Sequence, residues 1–212
     1  MKLISLTFLL LAGGTASAAS TTYADRTAFE TASGALTTET FNSFTSEEAF
    51  HTTPLGAGDF TLSMTGNPVT RGRNSIDIPP VRYSSINVDG TNVANVLTKP
   101  GANLILTFDD SIFAFGADFA GFNDESLRTN ILISGITYSP ATNGDFWGIT
   151  SDTAFNSVEF VSIQNDGFGM DNVSYTPISA VSAVPIPAAA FLFGPALLGF
   201  MGLRRKAKNS IA

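Results

Sequence analysis

Short runs of β-favouring residues alternate with turn-forming residues along most of the middle of this chain. The runs are rich in branched and aromatic side chains, and they lie at 60–64, 104–108, 112–119, 131–133, 158–163 and 173–175. Clusters of Gly, Pro, Asn and Asp separate them, and these residues favour turns. Many short strands divided by turns indicate an all-β fold, and we predict an antiparallel β-sandwich of the jelly-roll kind.

Phenylalanine is the expected core residue, because the chain contains 18 of them. Phe113, Phe115 and Phe119 stand an even number of positions apart, which places them on one face of a strand. Two sheets can bury such faces against each other. Between the two ends of the chain, only residues 23–32 have the pattern of a helix, with Asp25 as its N-cap.

The N-terminus has the three parts of a secretory signal. Met1-Lys2 is followed by an apolar run at 3–12 and by the small residues Ala16-Ser17-Ala18. A positive start, a short apolar segment and an A-x-A site predict a signal peptide over residues 1–18, which signal peptidase would remove. The mature protein is therefore expected outside the cytoplasm.

The C-terminus contains a second targeting segment. Residues 183–203 carry no charge, and 21 helical residues at about 1.5 Å each can cross the roughly 30 Å of hydrocarbon in a bilayer. The basic residues at 204–208 favour a cytoplasmic end. From these features alone the segment is a processed sorting signal, a plain transmembrane anchor or a buried core helix.

The order of short motif, apolar helix and basic tail resembles the PEP-CTERM class of bacterial sorting signals, in its V-P-L-P-A variant. Ile186 takes the place of Leu, and the motif and its arginine pair are Val184, Pro185, Ile186, Pro187, Ala188, Arg204 and Arg205. The resemblance implies an exosortase-type membrane protease as partner and delivery to the cell surface or extracellular matrix. We predict a sorting signal at 184–208, a linker at 179–183 and an exported domain at 19–178.

A second resemblance covers residues 144–173, which are similar to the final strands of β-sandwich domains in exported bacterial proteins. Such domains look like lectin and carbohydrate-binding folds, so the resemblance implies a structural or polysaccharide-binding role. Trp147, Tyr83 and Tyr138 are the aromatic residues that we would expect to stack on sugars.

The charge of residues 19–178 excludes nucleic acid as an expected partner. This part of the chain holds six basic and 18 acidic residues, a formal charge of −12, which repels polyphosphate. The chain has no cysteine, and His51 is its one histidine. The usual ligand set of a zinc site is therefore missing, and no G-x-S-x-G motif accompanies His51 as the base of a serine nucleophile.

The carboxylates leave a glycoside hydrolase as the alternative function, since that reaction needs two carboxyl groups about 5–10 Å apart. The candidates are Asp109 with Asp110, Asp124 with Glu125, and Asp166 with Asp171. Adjacent acids on a strand point to opposite faces, so we expect Asp109 and Asp110 to form a turn that ends a strand. We predict a protein that is not an enzyme.

A structural calcium ion is another use for these oxygen atoms, because Ca²⁺ binds six to eight oxygen ligands. Jelly-roll binding modules similar to this domain often hold such an ion between their first and last strands. On that analogy the predicted ligands are Glu39, preceding a strand at 41–44, and Asp171, at the start of the last strand. The alternative is that Asp166 and Asp171 only form turns and cap backbone amides.

Overall fold

A computed structural model describes residues 19–177 apart from residue 125. Strands dominate this part of the chain, and every strand pair is antiparallel. The elements are β1 (Ser20–Tyr23), α1 (Arg26–Ser33), β2 (Thr37–Glu39), β3 (Glu48–Ala49), β4 (Leu55–Ala57), β5 (Phe60–Met64), β6 (Ser75–Asp77), a 3₁₀ helix (Ser84–Ile86), β7 (Val93–Thr98), β8 (Leu104–Ala120), β9 (Thr129–Ile133), β10 (Ile136–Tyr138), β11 (Phe146–Ser162) and β12 (Asp166–Pro177). The predicted all-β class is confirmed.

Two long strands organise the sheet. β8 and β11 each contain 17 residues and pair with each other, with shifts in register between Thr150 and Ser157. β8 also pairs with β12 and with β5. The hydrogen-bonded order is β10-β9-β11-β8-β12-β7-β6-β3; β1, β2 and β5 branch from this path, and β4 pairs with β5. β8 is therefore at the centre of the sheet.

The predicted turn at Asp109 and Asp110 is wrong, because β8 continues through both residues. Both side chains are exposed, and the N–H of Asp109 donates to the carbonyl of Asp59 at 2.9 Å. A partner segment that is distant in sequence thus satisfies the backbone where local propensity favours a turn. The two predicted strands at 104–108 and 112–119 form one strand.

The predicted strand at 41–44 is also wrong. β2 ends at Glu39, whose carboxylate turns back to accept the N–H of Phe41 at 2.6 Å. Phe41 has a φ of 57°, and its fully buried side chain packs edge-on against Phe60. A local bond from side chain to backbone competes with strand pairing, and here it forms a bend.

Aromatic rings fill the main core, as predicted. Phe160 is fully buried and its ring centroid lies 5.8–6.4 Å from those of Phe115, Phe119, Phe122 and Phe168. These rings come from β8, β11, β12 and the turn that follows β8. Offset and edge-to-face ring pairs add to the free energy gained from burial, so this cluster joins the central strands.

The single described helix begins at its predicted cap. Asp25 accepts the N–H of Ala28 at 2.8 Å, although residues 20–23 form β1 rather than part of the helix. Phe29 is the buried residue of α1, and it lies over Gly116 and Gly148, which face each other on β8 and β11. A Cβ at either glycine would come within 2.9 Å of the Phe29 ring, so both positions must lack a side chain for the helix to pack.

Both predicted targeting segments lie outside the described residues, as do the linker and the membrane-spanning part of the sorting signal. Within residues 19–177, no helix is long and apolar enough to span a membrane.

Candidate functional site

An open groove of about 560 Å³ lies beside the end of β8. Four separate stretches of chain form its walls, and most of the side chains they contribute are carboxylates or amides. The lining residues are Asn87, Val88, Asp89, Asp118, Phe119, Ala120, Gly121, Asp145 and Asn172. We call this feature the acidic groove.

Strand pairing brings the walls of the acidic groove together. Asp118 on β8 lies opposite both Phe146 on β11 and Asp171 on β12. The N–H of Phe119 donates to the carbonyl of Asp145 at 2.8 Å, which fixes the entry to β11. Asn87 to Asp89 directly follow the 3₁₀ helix, and the N–H of Gly90 donates to Asn87 Oδ1 at 2.7 Å.

Arg26 connects helix α1 to one wall of the groove. Its guanidinium donates to Asp118 Oδ1 at 2.9 Å, to the Asn172 carbonyl at 2.9 Å and to Ser174 Oγ at 3.1 Å. It also lies 4.9 Å from the centre of the Phe146 ring. Asn172 Nδ2 donates to the other carboxylate oxygen of Asp118 at 3.0 Å. Asp118 is therefore held at both oxygens.

Asp171 lies behind the groove, fully buried. Its Oδ1 accepts the N–H of Asn172 at 2.6 Å, and its Oδ2 lies 3.4 Å from the hydroxyl of Thr91. That hydroxyl is much closer to Asp89 Oδ1, at 2.7 Å. A hydroxyl has one proton to donate, so the bond to Asp89 leaves Oδ2 of Asp171 without a strong donor.

The pKa values of these two carboxyl groups differ in direction. Burial raises the pKa of Asp171 to about 7, and the nearby charges of Asp89 and Asp118 add to the increase. The hydroxyl of Thr91 lowers the pKa of Asp89 by hydrogen bonding to its ionised form. At pH 6, Asp89 is therefore ionised while Asp171 holds its proton.

Asp145 is the carboxylate of the groove that is most available to a ligand. Its side chain is exposed, whereas those of Asp118 and Asp89 already accept hydrogen bonds from neighbouring residues. A free carboxylate next to amide side chains can accept hydrogen bonds from hydroxyl groups, and such charge-assisted bonds are strong. The acidic groove can therefore bind a molecule that is rich in hydroxyl groups.

The two predicted calcium ligands lie in different surroundings. Glu39 Oε2 comes within 2.9 Å of the Cβ position of Gly58, near the Tyr175 hydroxyl. That hydroxyl donates to Asp59 at 3.1 Å, and burial raises the pKa of Tyr175 to about 12. Asp171, the sixth residue of β12 rather than its first, instead lies near Asp89 and Asp118. No hydrogen-bond partner is shared by Glu39 and Asp171, and the predicted calcium site stays a prediction.

Among the described residues, which leave out Glu125, no group of three or more His, Cys, Asp or Glu side chains is arranged to hold a metal ion. A calcium ion at Glu39 or Asp171 would thus need most of its ligands from carbonyl and amide oxygens.

The predicted pair of Asp166 and Asp171 does not come together at one site, and Glu125, the predicted partner of Asp124, lies outside the described residues. Asp166 is fully buried, its pKa is raised by that burial, and one of its oxygens has no partner. It stands five positions from Asp171 along β12, so the two side chains point to opposite faces of the strand. Asp124 lies near enough to raise the pKa of Asp166 further.

Of the three aromatic candidates, only Tyr83 is exposed, at 37 %. Trp147 is a core residue at 6 % exposure, and its ring lies against those of Phe115 and Tyr138. Tyr138 is half-buried and its hydroxyl lies 2.9 Å from that of Ser20. Stacking on a sugar is therefore restricted to Tyr83.

Sequence reasoning missed Arg26 and Asp145. Arg26 stands in the first turn of α1, where the helix dipole disfavours a positive charge. A cation in this position indicates that the side chain has a partner elsewhere in the fold, so the sequence alone could have pointed to Arg26. Asp145 gave no comparable signal, since it looks like an ordinary turn residue after Asn143-Gly144.

No protein-family model, curated protein or solved structure significantly matches this chain.

Proposed function

We propose that this chain is an exported protein of the bacterial cell envelope or extracellular matrix, whose β domain binds polysaccharide in the acidic groove. Export follows from the two predicted targeting segments. We also propose that the sheet folds into a jelly-roll β-sandwich. The pairing of the long strands β8 and β11 shifts in register part of the way along, and a strand can bend from one layer of a sandwich into the other at such an irregularity.

The observation that carries the binding proposal is the open, polar lining of the acidic groove. Sugars present many hydroxyl groups, and exposed Asp145 offers a carboxylate that can accept hydrogen bonds from them. The walls are held in place by hydrogen bonds among Arg26, Asp118 and Asn172, so little ordering is needed when a ligand binds.

A glycoside hydrolase is the second candidate, because Asp171 and Asp89 have pKa values shifted in opposite directions. Such a pair can divide the roles of acid and base. However, Asp171 is fully buried and does not line the groove, so it has no access to a glycosidic oxygen. Binding without turnover is therefore the preferred function.

We expect the purified full-length chain to bind saturably on a glycan array and to release no sugar. Asp145→Ala removes the free acceptor and should weaken binding about tenfold, since a hydrogen bond to a charged group contributes roughly 1.5–3 kcal/mol. Asp152→Ala, which removes another exposed carboxylate outside the groove, is the matched control and should bind like the parent. Release of reducing sugar would favour the hydrolase instead.

The export proposal predicts the mass of the mature surface form. Residues 1–18 should be absent, and the C-terminus should lie within or near the motif at 184–188. Intact-protein mass spectrometry of the surface fraction measures both ends. A mature form that keeps its C-terminus would reduce the sorting signal to an ordinary membrane anchor.

A further inference from the structure

A second surface feature lies next to the acidic groove, and its charge is opposite. Residues 19–177 include six basic residues, and three of them fall between positions 71 and 82. The one acid in that span, Asp77, is buried at 3 % exposure. We call Arg71, Arg73, Arg82 and Tyr83 the arginine patch.

Two contacts hold the parts of the arginine patch together. The guanidinium of Arg73 stacks 3.9 Å from the centre of the Tyr83 ring. Arg82 lies over Gly72, where its Nε is 2.9 Å from the position that a Cβ would occupy. Gly72 also has a φ of 62°, so glycine serves both the bend and the close approach of Arg82.

Hydrogen bonds to buried polar side chains hold Arg73 in place. Its guanidinium donates to Asn95 Oδ1 at 3.0 Å, and Asn95 is fully buried. Asn95 Nδ2 in turn donates to Asp77 Oδ2 at 2.9 Å. The positive charge and the Tyr83 ring are therefore held in a defined position before any ligand arrives.

The other two arginines retain donors for a ligand. Arg71 is exposed, and no hydrogen bond or ion pair joins its side chain to another of the described residues. Arg82 meets Glu47 at 3.5 Å, with both side chains 49 % exposed, and an ion pair of this kind contributes little. A carboxylate that offers two oxygens matches the fork of a guanidinium better than such a partner does.

We propose that the arginine patch binds the carboxylate groups of an anionic polysaccharide, which names the ligand class of the proposed function and rests on it. The 3₁₀ helix Ser84–Ile86 separates Tyr83 from Asn87, about 8 Å of chain at its rise per residue. One saccharide chain can therefore place a hydroxyl-rich residue in the acidic groove and a uronic acid on the patch.

The test compares polygalacturonate, alginate and hyaluronate with fully methyl-esterified polygalacturonate, which has the same backbone without the charge. We expect the full chain to bind at least one of the three acidic polymers, more weakly as salt increases. Arg71→Gln with Arg82→Gln should weaken that binding about fivefold, as expected for two exposed charge pairs. Lys99→Gln removes one charge outside the patch and should change nothing. Unchanged melting temperatures would show that the variants fold.

Three results would overturn the proposal: binding to none of the acidic polymers, equal affinity for polygalacturonate and its ester, or equal affinity of the double variant and the parent. Equally tight binding of single-stranded DNA would also overturn it, because the patch would then not distinguish carboxylates from phosphates. The proposed function fails separately, when no glycan is retained on the array or when Asp145→Ala has no effect.

Discussion

Replacing Asp171 with Asn should stabilise this protein at pH 8 by about 2–4 kcal/mol, and the gain should be roughly 2–3 kcal/mol smaller at pH 5. The folded pKa of Asp171 is about 7, above the value near 3.9 of an unfolded chain. The folded state therefore holds a proton between these values that the unfolded state releases. The stability that this bound proton contributes is fully present below about pH 4 and is lost as the pH rises through 7. The loss is up to about 4 kcal/mol in the free energy of unfolding.

Asn removes that cost because it is neutral at every pH and has nearly the same shape. Its carbonyl oxygen can still accept the N–H of Asn172, and its amide can donate toward the Asp89–Thr91 pair, where Asp171 now finds no strong donor. A gain of this size raises the melting temperature of a protein of this length by roughly 4–16 °C. Urea unfolding at both pH values and constant ionic strength measures the effect.

Asp109→Asn is the matched control, since it removes the same charge from an exposed position and should alter stability by less than about 0.5 kcal/mol. All measurements are made in chelator and repeated in calcium. A variant that gains as much at pH 5 as at pH 8 would contradict the role of the buried proton. If Asp171 is instead a calcium ligand, the parent gains stability from calcium and Asp171→Asn loses that gain.

Local signals were sufficient for the elements that depend on neighbours in sequence. Asp25 caps α1 as its spacing predicts, and strand β5 has the predicted bounds, 60–64. The long strand β8 was missed because Asp109 and Asp110 disfavour a strand, while the partner that satisfies the backbone of Asp109 is Asp59, fifty residues earlier. Tertiary pairing overrode local preference there.

The acidic groove was beyond sequence reasoning for a similar reason. Its walls come from four stretches of chain between Asn87 and Asn172, and only the antiparallel register of β8, β11 and β12 brings them together. Asp171 was identified as special from its place in the last strand, but its burial and its competition with Asp89 for the proton of Thr91 depend on the fold. The sequence therefore pointed to Asp171, and its predicted pairing with Glu39 in a calcium site stays a prediction.

Truncating Phe29 should destabilise the domain by about 3–5 kcal/mol, the usual cost of removing a buried ring. Phe29 is fully buried against Gly116, Gly148 and Phe146, and it fixes the helix that carries Arg26. We therefore expect Phe29→Ala to lower the melting temperature and also to weaken glycan binding, because Arg26 holds Asp118 and Asn172 in the groove wall.

A double-mutant cycle with Gly148→Ala separates packing from a general loss of stability. In the parent, the new Cβ would meet Phe29 at 2.8 Å and Phe146 at 2.9 Å, with both rings held 5.5 Å apart. Overpacking of this kind costs roughly 1–3 kcal/mol. Without the Phe29 ring, Phe146 has room to move, so Gly148→Ala should cost much less in the Phe29→Ala background.

The expected coupling between the two substitutions is about 1–2 kcal/mol in the free energy of unfolding, measured with urea. Additive effects would instead mean that the Phe29 ring does not pack on Gly148. Gly56→Ala, at a position with nothing within 4 Å, is the control and should show no coupling with Phe29→Ala.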